Sequence, residues 1–349
     1  MSVFHPALFH RWFATAVVGL LPAVLPALSL AQTGMAQLRA GALPITLVYP
    51  TAAPNTTVTR GPFTLQAAVG AAPVRGNGRL VVLSHGTGGS ATSEFDLATT
   101  LAAAGFVVAQ PEHTGDNWRD FKLAGPESWK LRPIEVSQTI TAVAQDPRFA
   151  PLLDTAKVGV HGLSAGGVTG LALAGGQWSL ASLVHHCMAQ QKTDANFCFN
   201  GLPNQADRDA RAAQFAKASQ SNVDATLQGG DKVLDPRVAA VALTVPVVAP
   251  FTAESLALLK VPVGVVEATR DTVLVPAHHS SRLLQLCKRC TALGVMDGAE
   301  HFDMLSPWPS EVDVPVRAMQ GGQVSGFDRA RLPASYGRVA RFFQQTLLP

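Results

Sequence analysis

From Leu80 to Met296, short apolar runs alternate with longer stretches of helical periodicity, and that alternation leaves few folds open. Leu80–Leu83, Phe106–Ala109, Val158–His161, Val238–Val248, Val261–Ala268 and Ala292–Met296 are short apolar runs read as strands, Leu80–Leu83 being the first strong buried one. Strands of that kind joined by helices build a mostly parallel sheet flanked by helices, an α/β architecture. Helices are expected over Ser93–Ala104, with Ser93 and Asp96 at capping-box spacing and Gly105 as the stop, and over Pro133–Ala144, with Pro133 in the first helical position. A third should run from Ala165 to Ala174 before Gly175-Gly176, and a closing amphipathic helix from Ser335 to Leu348, where Val339, Phe342, Phe343 and Leu347 share a face. Ile45–Val74 is expected to supply leading, antiparallel strands. Between Gln177 and Gln228 the alternation breaks into an Ala-, Gln-, Asn- and Asp-rich stretch, read as a helical insertion over the sheet edge, a lid.

The chain has 349 residues, 47% hydrophobic and 15% charged, enough apolar material for one large core and too little charge for a disordered chain. The net charge is +3, and Lys and Arg are scattered without a basic face, which argues against nucleic-acid binding. His5, His10 and Arg11 precede an apolar run from Trp12 to about Leu30, and Ser29-Leu30-Ala31 offers small residues where a signal peptidase reads. The expectation is a signal peptide over residues 1–31, cleaved before Gln32, and a single exported domain over residues 32–349, periplasmic or secreted, with no stable membrane insertion. The alternative is an uncleaved anchor, against which stand Pro22 and Pro26, both breakers of a spanning helix.

Cys187, Cys198, Cys287 and Cys290 allow three pairings in an oxidising compartment. Local pairing, Cys187 with Cys198 and Cys287 with Cys290, closes the shortest loops and is the reading adopted. Zinc is the rival reading, since His185 and His186 adjoin Cys187, but zinc ribbons carry two tight Cys-x-x-Cys knuckles and this chain has one.

Gly162-Leu163-Ser164-Ala165-Gly166 matches G-x-S-x-G directly after one of the apolar strands and directly before a helical run. A serine on so sharp a turn needs small neighbours two residues away on either side, and the helix starting there points amides at the reacting centre. His85-Gly86-Thr87-Gly88-Gly89 follows an earlier strand. Acyl transfer needs two donors aimed at the developing oxyanion, and the amides of Ala165 and Thr87 are the pair expected to supply them. In the chain order such sites follow, the acid and then the base come later. Asp271, after the Val263–Ala268 strand, and His301, in Gly298-Ala299-Glu300-His301-Phe302, fit that order. Competing acids are Asp235 and Glu267, with Glu300 and Asp303 too close to the histidine itself. His85 and His113 are read as loop-packing or pocket-lining residues, and His161 as buried beneath the serine. His113, Trp118, Trp129, Phe197 and Phe199 are the candidates for substrate contact.

The sequence resembles serine hydrolases known as predicted dienelactone hydrolases, relatives of the plasma-type platelet-activating-factor acetylhydrolases, within the α/β-hydrolase superfamily. The resemblance runs from about Pro44 to the C-terminus and rests on Leu83–Gly89, Pro111–Asp116, Arg132-Pro133, Gly162–Gly167, Asp235–Val238 and Ala299–Phe302. It implies Ser164 as nucleophile, His301 as base and the amides of Thr87 and Ala165 as oxyanion donors. The acetylhydrolase relatives carry their acid after the strand matching Val238–Leu243, where this chain has Thr244, so the role moves to Asp271. True dienelactone hydrolases use a cysteine nucleophile, and this chain has serine. The expected activity is hydrolysis of small or short-chain carboxylic esters through an acyl-enzyme, with no cofactor and no metal. Lipase, phospholipase or polyester hydrolase chemistry on the same scaffold is the alternative, and a non-catalytic exported binding protein the rival from another class.

Overall fold

The structure is a computed structural model that describes residues 1–2, 32–199, 202, 204–220, 233–319 and 325–348. Residues 3–31, which hold the expected targeting segment, and residues 200, 201, 203 and 221–228 of the expected insertion lie outside the described residues. All the secondary structure below belongs to the unit Ala31–Pro349.

In chain order the strands are β1 (Gln32–Ala40), β2 (Leu43–Thr51), β3 (Thr56–Arg60), β4 (Phe63–Val69), β5 (Leu80–Ser84), β6 (Val107–Pro111), β7 (Val158–Leu163), β8 (Val238–Thr244), β9 (Val263–Ala268) and β10 (Cys290–Met296). They form one sheet in the order β10-β9-β8-β7-β5-β6-β2-β1-β4-β3. From β10 to β6 every neighbouring pair is parallel, and β2 then runs antiparallel to β6. Every residue of β5, β6 and β7 is buried, which is why those runs carry no polar alternation. The leading hairpin begins earlier than expected, at Gln32, because β1 is half polar and only its first part is covered. One departure from the antiparallel expectation is the short parallel pairing of β1 with β4.

The principal helices are α1 (Phe95–Ala103), α2 (Pro126–Gln145), α3 (Gly166–Leu173), α4 (Leu180–Gln190), α5 (Ala195–Phe199), α6 (Gln205–Gln220), α7 (Ala253–Ala257), α8 (Ser280–Leu286), α9 (Ser310–Met319) and α10 (Leu332–Leu347). Right-handed crossovers put the β5–α1–β6 helix on one face of the sheet and the β6–α2–β7 and β7–α3–β8 helices on the other. On α10, Val339, Phe342, Phe343 and Leu347 are buried against the sheet, each large side chain contributing about 1.5–3 kcal/mol by leaving water. Gly159 in β7 makes that approach possible, since a Cβ there would stand 2.7 Å from the Phe343 ring.

Two helix starts differ in how they are capped or placed, and α10 also opens three residues early, at Leu332 rather than Ser335. Helix α1 has Glu94, not Ser93, at its N-cap. Ser93 Oγ accepts from the Ser90 amide instead, and the Asp96 amide is satisfied from outside by Ser306 Oγ at 2.9 Å. Helix α2 opens at Pro126, and Pro133 sits in its interior. An interior proline costs about 3 kcal/mol, offset here by the buried row Trp129, Val136, Ile140 and Val143.

Both disulfides follow the local pairing: Cys187–Cys198 ties α4 to α5, and Cys287–Cys290 spans the turn from α8 into β10. They suit an oxidising compartment. Among the described residues no helix is long and apolar enough to cross a membrane.

Candidate active site

The strand order reverses direction at β5. From β5 the chain crosses to β6 on one side and later returns to β7 on the other, so a crevice opens at the carboxyl ends of β5 and β7. Ser84 and Gly162 are paired across those two strands, so the loop beginning at His85 and the turn carrying Ser164 leave the sheet side by side.

Ser164 has φ of +54°, a left-handed conformation that costs a non-glycine residue on the order of 1–3 kcal/mol. Three main-chain bonds hold it there: its amide donates to Thr244 O at 3.1 Å, and its carbonyl accepts from Gly167 N at 2.8 Å and Val247 N at 2.9 Å. The flanking glycines are sterically required. A Cβ on Gly162 would collide with the Gly166 carbonyl, and one on Gly166 with the Ser84 carbonyl. Gly162→Ala is therefore expected to cost about 3 kcal/mol, the upper end for overpacking, read as a lower urea midpoint; an unchanged midpoint would contradict the turn as described.

His301 follows β10 in a single 3₁₀ turn whose ends are tied by the reciprocal Glu300–Asp303 capping box. Its ring is 3% exposed and bridges two partners: Nε2 lies 3.0 Å from Ser164 Oγ, and Nδ1 lies 2.7 Å from Asp271 Oδ2. Asp271, at the end of the loop after β9, is itself held, since its Oδ1 accepts from the amides of Val273 (2.9 Å) and Leu274 (2.7 Å). A carboxylate can only accept, so the proton sits on Nδ1 and the Nε2 lone pair faces the serine hydroxyl. Three residues far apart in sequence thus form one unbroken line of hydrogen bonds.

The competing acids have other partners. Asp235 grips Arg237 with both oxygens (2.9 and 2.6 Å) before β8, at the opposite end of the sheet's strands. Glu267 accepts from Ser280 and Ser281, and Thr244 lies 3.0 Å from His161 Nε2. His161, fully buried, also lies 2.9 Å from Glu94 Oε1.

The His85–Gly89 loop rests against the serine: a Cβ on Gly86 would stand 3.2 Å from Ser164 Cβ. Among the described residues the amides of Thr87 and Ala165 donate to no protein acceptor. His85 Nδ1 donates to Gly86 O at 2.7 Å, and its Nε2 accepts from the His113 amide. His113 is fully buried, with Nδ1 on Glu135 (2.7 Å) and Nε2 on Ser84 Oγ (2.8 Å). Burial first, then the neighbouring histidine and the Arg132 cation, hold His85 well below the ordinary histidine value; burial and Arg132 do the same to His113. Both rings are therefore neutral wherever ordinary histidines titrate.

Three of the residues expected to meet substrate are buried in side-chain packing. His113 has no free ring nitrogen. Trp129 is buried edge-on against Trp178 at 5.6 Å, and Phe199 is buried in the core beside Phe215. Each is apolar or aromatic enough to line a pocket, and each was claimed by packing instead. Phe197 is half-buried against His279 at 4.8 Å. Trp118 does stay open, 60% exposed, with its amide on Gly89 O. Phe121, not singled out from the sequence, joins it at 57% exposure, and a Cβ on Gly88 would stand 3.0 Å from its ring. Its place three residues after Trp118 in the same loop is the one sequence signal that marks it.

The overall fold has a similar solved structure. A ferulic acid esterase from Streptomyces cinnamoneus is similar with a TM-score of 0.56 and 18% identity, over 93% of this chain and 92% of that one. The chain has the α/β-hydrolase fold. No protein-family model matches the sequence, and no curated protein does.

A second polar cluster joins the insertion to the body. Asp194 Oδ2 accepts from His186 Nε2 at 2.8 Å and His279 Nε2 at 3.0 Å, and its Oδ1 faces the Val275 amide. Burial pushes Asp194 up, but the two histidine hydrogen bonds and their charges win, and its carboxyl is held well below the usual range. The Val248 amide donates to His279 Nδ1, so Nε2 keeps its proton and points it at the carboxylate. Although the three groups lie within 4.8 Å of one another, His279 turns an N–H, not a lone pair, toward their centre. The cluster is a hydrogen-bonded clamp fixing the Cys187–Cys198 loop to the segment just after Asp271.

Proposed function

We propose that the chain is a serine carboxylic-ester hydrolase in which Ser164 is the nucleophile, His301 the general base and acid, and Asp271 the group that orients it. The observation that carries this reading is the continuous line Ser164 Oγ, His301 Nε2, His301 Nδ1, Asp271 Oδ2, at 3.0 and 2.7 Å. His301 takes the serine proton as Oγ attacks the ester carbonyl, and Asp271 stabilises the imidazolium that results. The oxyanion is met by the amides of Thr87 and Ala165, and the protonated His301 then gives its proton to the departing alcohol. Water, deprotonated by the same ring, releases the acid. Every step uses groups of this chain alone.

The substrate class is a small acyl or aryl ester. Trp118 and Phe121 expose two aromatic faces over the glycine loop, and the similar structure is named for an aromatic acid, ferulic acid. Lipid or polymer esters on the same scaffold are the second reading. The finer likeness to dienelactone hydrolase and acetylhydrolase relatives rests on the motifs of the sequence alone. Export is proposed from the N-terminal apolar segment and the two disulfides.

The test is labelling of purified protein by a fluorophosphonate, expected on Ser164 by peptide mass, followed by a series of p-nitrophenyl esters from acetate to laurate and a feruloyl ester. Short and aryl esters should give the highest kcat/KM. A maximum at laurate would transfer the reading to lipid esters, and no labelling of Ser164 would defeat it altogether.

A further inference from the structure

Arg132 is fully buried, which is rare for an arginine without a specific partner. Its partner is Asp116, also fully buried, at 2.7 Å. Its Nε donates to Ser128 Oγ at 2.7 Å. Every remaining contact of the pair falls on one stretch of backbone. Arg132 Nη1 donates to His85 O, Nη2 reaches Gly86 O at 3.5 Å, and Asp116 Oδ1 accepts from Gly88 N at 2.9 Å. The pair therefore grips the chain on both sides of Thr87.

We propose that Arg132, with Asp116, is a positioning residue that holds the Gly86–Thr87 peptide in the one orientation that aims the Thr87 amide into the reaction centre beside Ser164. This rests on the hydrolase reading above. In a trans peptide the carbonyl of one residue and the amide of the next point in opposite directions, and among the described residues no peptide is cis. Fixing Gly86 O therefore fixes Thr87 N–H. That carbonyl takes donors from His85 Nδ1 at 2.7 Å and Gly89 N at 3.1 Å as well as from Arg132, all on the side away from the free amide. A flip of this peptide would turn a carbonyl oxygen toward the developing oxyanion. The loop carries Gly86, Gly88 and Gly89, so its backbone torsions resist such a flip poorly, and the buried guanidinium, which also holds the preceding His85 carbonyl, reinforces the two bonds made from within the loop.

The experiment compares Arg132→Lys and the double variant Arg132→Met with Asp116→Asn, which leaves no lone buried charge, with wild type on p-nitrophenyl acetate. The expected result is a fall in kcat of about 10- to 100-fold, part of the loss typical for an oxyanion donor, with KM within about two-fold. The lysine variant keeps the charge without the planar fork and should lose less. Affinity for an aryl trifluoromethyl ketone should weaken by the same factor as kcat. That inhibitor's carbonyl carbon takes the Ser164 oxygen and its own oxygen becomes the anion, the serine proton passing to His301, so its affinity reports oxyanion binding. The control is Arg237→Met with Asp235→Asn, a less buried arginine–aspartate pair far from the loop, which should leave kcat near wild type. An undiminished kcat, or a loss confined to KM or to thermal stability, overturns the proposal. Should the buried-pair variants fail to fold, Ser128→Ala removes only the Nε acceptor; it should lower kcat and ketone affinity together by about two- to five-fold, and no change in either overturns the proposal as well. Wild-type turnover that falls on the order of 10⁶-fold in Ser164→Ala secures the hydrolase reading independently, so undiminished kcat in folded variants counts against the restraint alone. A wild type without turnover or labelling defeats both.

Discussion

Ser164→Ala should lose on the order of 10⁶-fold in kcat on any ester the wild type hydrolyses, and should fold to the same stability within experimental error. The size of the loss follows from what the hydroxyl does. It is the atom that bonds to substrate, and among the described residues no other hydroxyl is bonded to His301 Nε2. Stability should hold because the bonds fixing residue 164 are main-chain bonds to Thr244, Gly167 and Val247, which alanine keeps at the same φ. Residual activity above the uncatalysed rate should remain, from the unaltered amides of Thr87 and Ala165. The measurement is kcat with p-nitrophenyl acetate alongside a thermal melt. Turnover within ten-fold of wild type in a folded variant would exclude Ser164 as the nucleophile.

The central sheet was legible because burial on both faces writes a simple rule into sequence: β5, β6 and β7 are mostly apolar with no polar alternation, and their few polar residues, Ser84, Gln110 and His161, are buried with them. The serine turn was legible for a similar reason, since only glycine fits at 162 and 166. What failed was reading local signals that a distant residue had overruled. Ser93 and Asp96 have capping-box spacing, yet the α1 terminus is satisfied by Ser306, more than two hundred positions later. Pro133 looked like a helix start because propensity knows nothing of the packing that carries α2 straight through it. Burial among the aromatic candidates for substrate contact was equally hidden from spacing. Trp118 and Trp129 are indistinguishable as letters, and only the fold makes one an exposed face and the other a core partner of Trp178. Nor could spacing show that Asp116 and Arg132 embrace the backbone of a loop 28 to 47 residues earlier.

Asp271→Asn should lose about 10⁴-fold in kcat with little change in fold, and the structure supplies the reason. In the native site Asp271 Oδ1 is claimed by the Val273 and Leu274 amides, which leaves Oδ2 for His301 Nδ1. An asparagine has only one oxygen. Those two amides are donors and must keep it, so the side-chain NH₂ turns toward the imidazole. Facing a donor, Nδ1 becomes the acceptor and the ring proton moves to Nε2, where it points at Ser164 Oγ. The base then has no lone pair for the serine proton, and the imidazolium of the transition state has no counter-charge. Asp235→Asn should behave differently. It cuts a two-oxygen grip on Arg237 before β8 and should lower stability while leaving kcat within a few-fold of wild type. Measuring kcat and the urea midpoint for both variants separates the two carboxylates, and a larger rate loss at Asp235 than at Asp271 would overturn the assignment of the acid.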